Sequence, residues 1–289
     1  MSEGYCINKA GPADLAACRM IWQRCFGDGD AYLDFYYQHG FPLFETLVLR
    51  AEDAIRSMLT LIPAEYRAND ICYPAAYVYA VATDPAAQGK GYASALLKAA
   101  HEHLLNKGVT VSALFPASDS LYEYYARLGY RTAFSVCIKR YENPFGLPAY
   151  GSIAPAQRET FCSLRREYLS KMSHSLSFSE KATGYLFDES AFTGGEILHL
   201  TDGKGLQGYA VCTKIEKTVV VKETNLEEPV LKQFLPGLFK RYEAESVQVK
   251  FPCVHGETVL RHGMLCPLEP ASANIISSRA DGYMNLVLD

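Results

Sequence analysis

The chain has 289 residues, enough for one or two domains, and its composition, 49% hydrophobic and 21% charged, is typical of a globular protein. A net charge of −4 gives no electrostatic footprint for nucleic acid or an anionic membrane. There is no apolar run of membrane-spanning length and no signal-peptide pattern at the N-terminus. Nine cysteines without a C-x-x-C pair predict reduced thiols and a cytoplasmic location.

Strands and helices alternate in the first half of the chain. Strands are predicted over 5–9, 46–50, 55–66, 71–83, 109–115 and 131–141, with helices over 12–26 and 118–128, a short helix that carries Tyr32, Phe35 and Tyr36, and a long helix that ends at Gly108. A tight turn at Glu52–Asp53 joins the second and third strands. The seven histidines form no ligand cluster. His101 and His103, on different faces of one helix, are interpreted as surface residues, and no metal site is predicted.

The most informative stretch is a glycine-bearing loop between the strand over 71–83 and the long helix. Pro85 ends the strand, and Gly89 and Gly91 would let the backbone approach a diphosphate closely. The first amides of a helix have no internal partner, and the helix dipole favours anions there. The pattern is neither G-x-x-x-x-G-K-[ST] nor G-x-G-x-x-G. The alternative is a glycine turn that opens an ordinary α/β helix.

Two motifs carry a resemblance to a known family. Gln88, Gly91 and Ala93 fill the pattern Gln-x-x-Gly-x-Ala, which resembles the [QR]-x-x-G-x-[GA] signature of the GNAT superfamily of acetyl-CoA-dependent N-acetyltransferases. The segment from Tyr125 to Tyr130 resembles that family's Tyr-x-x-x-Gly-[FY] element. The order of predicted elements over 3–141 is also similar. The resemblance implies an α/β (α+β GNAT) fold, a mixed central sheet flanked by helices.

The resemblance also implies a cofactor site for acetyl-CoA. Backbone groups of Val81, Ala82 and Thr83 would pair with the pantetheine arm, and the amide of Val81 would stabilise the oxyanion. The diphosphate would be held by Gln88, Gly89, Lys90, Gly91, Tyr92, Ala93 and Ser94, and Ser118 or Ser120 would contact the cofactor. A solvated Lys90 is the alternative for that side chain.

Tyr125 is the predicted general acid, because a phenol with a pKa near 10 suits a thiolate leaving group. The alternative is a core tyrosine, one of 20 in the chain. No glutamate in the strand over 71–83 offers a general base.

An acidic, aromatic region near the first helix is a candidate for binding a cationic amine. Its members are Phe26, Asp28, Asp30, Tyr32 and Tyr36. The alternative is a solvated loop followed by an ordinary helix face.

A proline- and glycine-rich break over 143–148 predicts two domains, 1–142 and 149–289. The second half carries predicted helices over 157–170 and 228–243, and strands over 196–201, 208–215, 218–222 and 246–251. Its loop before the later helix has no Gln-x-x-Gly-x-Ala pattern and carries Glu227 and Glu228. We therefore expect a degenerate GNAT-like domain that does not bind coenzyme A; an unrelated α+β domain is the alternative.

Tandem GNAT-like units resemble the enhanced-intracellular-survival (Eis) family, in a short form without the sterol-carrier-like domain. The function expected is transfer of an acetyl group to an amine of a small molecule or peptide, without nucleic-acid or membrane partners. The alternative is a non-catalytic acyl-CoA-binding regulatory module, and homo-oligomerisation stays open. In longer members of the family that the chain resembles, a terminal carboxylate is proposed as the base. Here Asp289 either has that role or ends a strand of the second domain, and we favour the strand.

Overall fold

The computed structural model describes residues 4–143, 146, 148–253, 259–270 and 282–286. These residues fall into two compact units: the first lies within 1–132 and 263–276, and the second within 133–262 and 277–289. Each unit is built on a mixed set of strands with helices packed against it, so the predicted α/β class is confirmed. No described helix is long and apolar enough to cross a membrane.

The elements of the first unit follow the predicted order closely. They are β1 (Tyr5–Lys9), α1 (Leu15–Phe26), α2 (Asp30–Phe35), β2 (Glu45–Ala51), β3 (Ala54–Ala68), β4 (Ile71–Thr83), α3 (Tyr92–Asn106), β5 (Val111–Leu114) and α4 (Asp119–Ala126). Short 3-10 turns precede α1 and follow β4, and α2 continues into one turn of π-helix, Tyr36–Gly40. The predicted tight turn at Glu52–Asp53 is confirmed, and both residues have a positive φ, 53° and 56°.

The strands of the first unit lie in the order β1-β2-β3-β4-β5, followed by the part of β13 (Leu260–Pro267) that begins at Gly263. Only β4 and β5 are parallel, and α3 is the crossover that a parallel pair requires. Successive residues of β4 point to opposite faces of the sheet, and helices pack against both faces. Val78 packs with α3 and α4, while the ring of Tyr79 lies 5.5 Å from that of Trp22 in α1.

The second unit repeats this arrangement. Its elements are β6 (Arg131–Glu142, from Ala133 onward), β7 (Ser152–Pro155), α5 (Arg158–Ser170), β8 (His174–Phe178), α6 (Glu180–Phe192), β9 (Gly195–Thr201), β10 (Gln207–Ile215), β11 (Thr218–Thr224), α7 (Glu228–Tyr242) and β12 (Ser246–Pro252). The strand order β6-β12-β11-β10-β9-β7 has one parallel pair, β11 with β12. Sequence reasoning missed β7, β8, α6 and β13.

The strand over 131–141 was predicted within the first domain, 1–142, but most of it lies in the second compact unit. From Ala133 onward β6 belongs to the second unit, where it pairs antiparallel with β12. The neighbour of β5 in the first unit is instead β13, with Met264 opposite Leu114. The compact units therefore differ from the predicted domains 1–142 and 149–289 by an exchange of these two strands.

A buried ion pair lies at the centre of the second unit. Arg165 of α5 is 2% exposed and Glu223 of β11 is fully buried. Arg165 Nε donates to Glu223 Oε1 at 2.7 Å, and the hydroxyl of Tyr209 donates to the same oxygen at 2.9 Å. The amide of Leu286 donates to Glu223 Oε2 at 3.3 Å, which ties the 282–286 segment to the same carboxylate. The rest of the predicted terminal strand, including Asp289, lies outside the described residues.

Candidate functional site

The pairing between β4 and β5 stops before β4 ends, and the candidate site lies at this point. Their parallel pairing runs from Ala75 opposite Val111 to Tyr77 opposite Ala113. β5 ends one residue later, whereas β4 continues to Thr83. Over its last residues, β4 therefore has backbone groups on this side that β5 does not pair. An extended ligand can add to such an edge through main-chain hydrogen bonds.

A β-bulge lies in the part of β4 that extends beyond its pairing with β5 and still pairs with β3. Thr60 of β3 pairs with Tyr79 and Met58 pairs with Ala82, so two residues of β4, Ala80 and Val81, stand opposite one residue of β3. Ala80 has a φ of 49°, which is unfavourable for a residue with a Cβ. A bulge redirects the backbone groups that follow it. The sequence gives no sign of it, because alanine has no preference for this conformation.

The glycine loop has the backbone that glycine permits. Gly89 and Gly91 have φ values of 78° and 79°, and a Cβ built on either would meet nothing within 4 Å. Glycine is therefore required by the left-handed conformation and not by crowding. Gly91 is the N-cap of α3, so the amides of the first turn, from Tyr92 to Ser94, have no partner within the helix. An exposed helix N-terminus of this kind attracts anions.

The end of β4 is fastened to the end of α1 by contacts that sequence reasoning missed. Arg24 Nη1 donates to Asp84 Oδ2 at 3.3 Å. The carbonyl of Thr83 accepts from Cys25 Sγ at 3.2 Å and from Gln88 Nε2 at 3.4 Å. Gln88 thus holds the loop together, and the Thr83 carbonyl is already used within the chain. No sequence signal could have paired residues about 60 positions apart.

The remaining predicted polar contacts lie on the surface. Lys90 Nζ is 3.8 Å from Glu52 Oε1, and both side chains are at least half exposed. Ser118 is the N-cap residue of α4, and its hydroxyl lies 3.0 Å from that of Ser120. Both serines are exposed, so their hydroxyls are accessible to a ligand.

Tyr125 is buried in α4, and its side chain packs in the same cluster as Val78 of β4 and Leu114 of β5. Burial, and to a smaller degree the neighbouring Tyr124, raises the pKa of Tyr125 well above its usual value. The phenol is therefore protonated throughout the physiological range. Among the described residues its hydroxyl has no hydrogen-bond partner, whereas the hydroxyl of Tyr124 lies 3.0 Å from Ser94 Oγ.

Comparison with known proteins agrees with this geometry. Residues 7–133 match a family model described as an acetyltransferase (GNAT) domain. Over these residues the chain is similar to GNAT acetyltransferase domains. The match covers less than half of the chain, and no curated protein matches the sequence.

Solved structures similar to the whole chain share its fold. A GCN5-related N-acetyltransferase from Anabaena variabilis has 17% sequence identity and a TM-score of 0.74, over 92% of this chain and 73% of that one. A GCN5-related N-acetyltransferase from Kribbella flavida has 15% identity and a TM-score of 0.71, over 90% and 70%. Eis1 from Mycobacterium abscessus has 13% identity and a TM-score of 0.66, over 91% and 74%. At these identities the similarity shows the fold alone.

The predicted amine-binding region of the first unit is only partly open. Phe26 is 47% exposed. Asp28 Oδ2 accepts a hydrogen bond from Trp22 Nε1 at 2.7 Å. Tyr36 is fully buried, and its hydroxyl lies 3.0 Å from Thr60 Oγ1. Tyr36 therefore belongs to the core, and its prediction as a substrate contact is corrected: aromatic spacing in the sequence did not distinguish a core ring from an exposed one.

The acidic charges of this region are also largely compensated. Arg19 binds Asp30 at 3.0 Å, so that carboxylate already has a cationic partner. The hydroxyl of Tyr32 lies 3.0 Å from that of Tyr79 in β4, a contact that sequence reasoning missed. An amine-binding role for this region now depends mainly on Asp28 and Phe26.

In the second unit, a carboxylate of the chain occupies the place that corresponds to the glycine loop. Glu228 begins α7 and binds Lys139 at 2.6 Å, Lys232 at 2.7 Å and the hydroxyl of Tyr141 at 2.9 Å. Hydrogen bonds, first of all from Lys139, lower the pKa of Glu228 to about 2. This helix N-terminus therefore carries its own anion over the whole physiological range of pH.

One coenzyme A is accordingly expected per chain. A diphosphate at the start of α7 would have to displace Glu228 from two lysines, while the start of α3 is exposed. Isothermal titration of the whole chain with coenzyme A measures the stoichiometry. A value of two would contradict the assignment of the second unit as a non-binding repeat.

The described residues contain no group of three or more histidine, cysteine, aspartate or glutamate side chains that could hold a metal ion.

Proposed function

We propose that the first unit is a GNAT domain, and that this GNAT domain transfers the acetyl group of acetyl-CoA to a primary amine of a small molecule or peptide. The observation that carries the proposal is the open edge of β4, which leads to an exposed helix N-terminus and has a buried, protonated phenol beside it. This combination provides a channel for an extended arm, a site for a diphosphate and a proton donor. We further propose a cytoplasmic protein similar to the Eis family; the fold shared with Eis1 supports the similarity to that family.

In this proposal the amides of Gly91 to Ser94 hold the diphosphate, with Gln88, Gly89 and Lys90 shaping the loop. The pantetheine arm lies along Val81 and Ala82. The amine nitrogen attacks the thioester carbon, and the amide of Val81 stabilises the oxyanion that forms. The C–S bond then breaks, the nitrogen that attacked gives its excess proton to water, the thiolate takes the proton of Tyr125, and the phenolate recovers a proton from solvent.

The high pKa of Tyr125 fits the role of a donor that reacts late. A free thiol is normally more acidic than a buried phenol, so proton transfer from Tyr125 to a fully solvated thiolate would be unfavourable. Negative charge that develops on sulfur in the same apolar surroundings is itself destabilised by burial, which raises the proton affinity of the thiolate. The amine loses its proton through water in this proposal, since β4 contains no aspartate or glutamate.

The function is tested by thiol release from acetyl-CoA with a panel of polyamines, aminoglycosides and peptides. Acetyl-CoA affinity is measured in parallel by calorimetry. Affinity without turnover for any amine would favour the alternative, a regulatory module that binds acyl-CoA without catalysis. Absence of both would contradict the proposal.

Gly91→Glu is expected to abolish acetyl-CoA binding, because it places a carboxylate beside the diphosphate and forces a side chain into a left-handed backbone. The matched control is Gly108→Glu, at the opposite end of the same helix, where φ is 75° and a Cβ also meets nothing within 4 Å. Both variants carry the same strain and charge, so only the location differs. Equal acetyl-CoA affinity of the two variants by calorimetry would show that the loop does not hold the cofactor.

A further inference from the structure

A chain of three hydrogen-bonded polar side chains lies inside the first unit: Ser112 and Tyr130 are buried, and His101 is partly buried. Ser112 Oγ lies 2.6 Å from the hydroxyl of Tyr130, and the same hydroxyl lies 2.9 Å from His101 Nε2. His101 was expected at the surface, but its ring packs 5.5 Å from that of Tyr130. Burial lowers the pKa of His101 to about 4, so the imidazole is neutral, and Nε2 either accepts a hydrogen bond from the Tyr130 hydroxyl or donates one to it, depending on the tautomer.

Tyr130 is in turn coupled to Tyr125. Their rings meet edge to face at 5.7 Å and 67°, and the amide of Tyr130 donates to the carbonyl of Tyr125 at 3.2 Å. Gly129 between them has a φ of 92°, which turns the chain so that the two rings meet. The contact between the rings is therefore fixed through the backbone as well as through packing.

The two ends of the chain lie on the elements that define the candidate site. Ser112 is on β5 and stands opposite Ala76 of β4, one residue before the strands cease to pair. His101 is on α3, the helix whose first turn is the predicted diphosphate site. Tyr130 is 1% exposed, and its hydroxyl contacts a side chain of β5 and a side chain of α3 at the same time.

We propose that His101, Tyr130 and Ser112 position the ring of Tyr125 for proton donation. Because the described residues provide no hydrogen-bond partner for the hydroxyl of Tyr125, its direction depends on the rings that pack against it. The anchored ring of Tyr130 is one of two that do so. The three are positioning residues, and their role rests on the proposed function.

The kinetic test uses Tyr130→Phe, which removes only the hydroxyl, and His101→Leu, which removes its partner. Both are expected to lower kcat about 10–100-fold, as misplacement of a reacting group does, with acetyl-CoA affinity within twofold of the wild type. His101→Gln keeps a polar atom near the position of Nε2 and is expected to restore most of kcat. The control is Thr46→Val, which removes another buried hydroxyl contact of this domain, 3.0 Å to Thr60. Unchanged kcat in Tyr130→Phe and His101→Leu would overturn the proposal.

A double-variant cycle distinguishes positioning from a general loss of stability. If Tyr130 acts through Tyr125, adding Tyr130→Phe to Tyr125→Phe is expected to cause no further loss of kcat. Full additivity of the two losses would overturn the proposal.

A spectroscopic test does not depend on turnover. In protein labelled with 3-fluorotyrosine, the fluorine signal of Tyr125 is the one that disappears in Tyr125→Phe. His101→Leu is expected to shift or broaden this signal, and His101→Gln to return it to its wild-type position. An unmoved signal would overturn the positioning role even if the chain acetylates no amine, whereas absence of wild-type turnover alone would overturn the proposed function.

Discussion

Replacement of Tyr125 by phenylalanine is expected to lower kcat by about 10²–10⁴-fold, the contribution typical of one general acid. Acetyl-CoA affinity should stay unchanged, because the phenol acts only when charge develops on the leaving sulfur. A loss in kcat without a loss in binding is the mark of an interaction made in the transition state. Single-turnover kinetics and calorimetry measure the two quantities separately.

Tyr122→Phe is the matched control, since Tyr122 lies one turn earlier on α4 and is also buried, at 6% exposure against 7% for Tyr125. It should leave kcat close to that of the wild type. If Tyr122→Phe loses activity and Tyr125→Phe keeps it, the motif selected the wrong tyrosine. If neither loses activity in the single-turnover step, no phenol on α4 donates the proton.

Replacement of Arg165 by methionine is expected to reduce the free energy of unfolding of the second unit by about 3–5 kcal/mol. The variant leaves the carboxylate of Glu223 buried and without its cationic partner, although Tyr209 still donates to it. Urea unfolding followed by circular dichroism measures the loss, and amide exchange in β11 assigns it to this unit. The double variant Arg165→Met with Glu223→Gln removes both charges and should recover more than half of the stability.

The adjacent Arg166 provides the control on the same helix. It forms an ion pair with Glu180 at 3.2 Å, but the two side chains are 66% and 79% exposed. Arg166→Met is therefore expected to cost less than about 1 kcal/mol. Equal stability of the two single variants would mean that burial does not determine how much the Arg165 ion pair contributes to the free energy of unfolding.

Local features of the site were predictable from the sequence. The strand before the loop, the glycines and the helix after them each follow from short-range preferences, and β4, Gly91 and α3 lie where these preferences place them. The buried face of α3 follows from helical spacing in the same way: Leu96, Leu97 and Ala100 are at most 1% exposed.

What the sequence did not predict depends on contacts between distant residues. The left-handed Ala80 is held by pairing to β3 on both sides and not by its own preference. His101 looked like a surface residue because its partner, Tyr130, lies 29 positions away. The prediction that Tyr36 contacts the substrate was wrong for the same reason, because an aromatic residue at helical spacing gives the same sequence pattern in a core and on a surface. The predicted assignments to cofactor contacts remain predictions.

The placement of β6 and β13 has a consequence for biosynthesis. A ribosome would release the first 132 residues long before the strand that borders β5, which pairs Leu114 with Met264 across 150 positions of sequence. Domains usually fold in the order of their synthesis, but the first unit would leave one edge of its sheet uncovered until β13 has been synthesised. A nascent edge of this kind is prone to wrong pairing. A gene cut at 143–148 would give one fragment that carries β6, a strand of the second unit, and another that carries β13, which borders β5 in the first unit. Each fragment would lack a strand of its own sheet, so the fragments should fold only when they are expressed together.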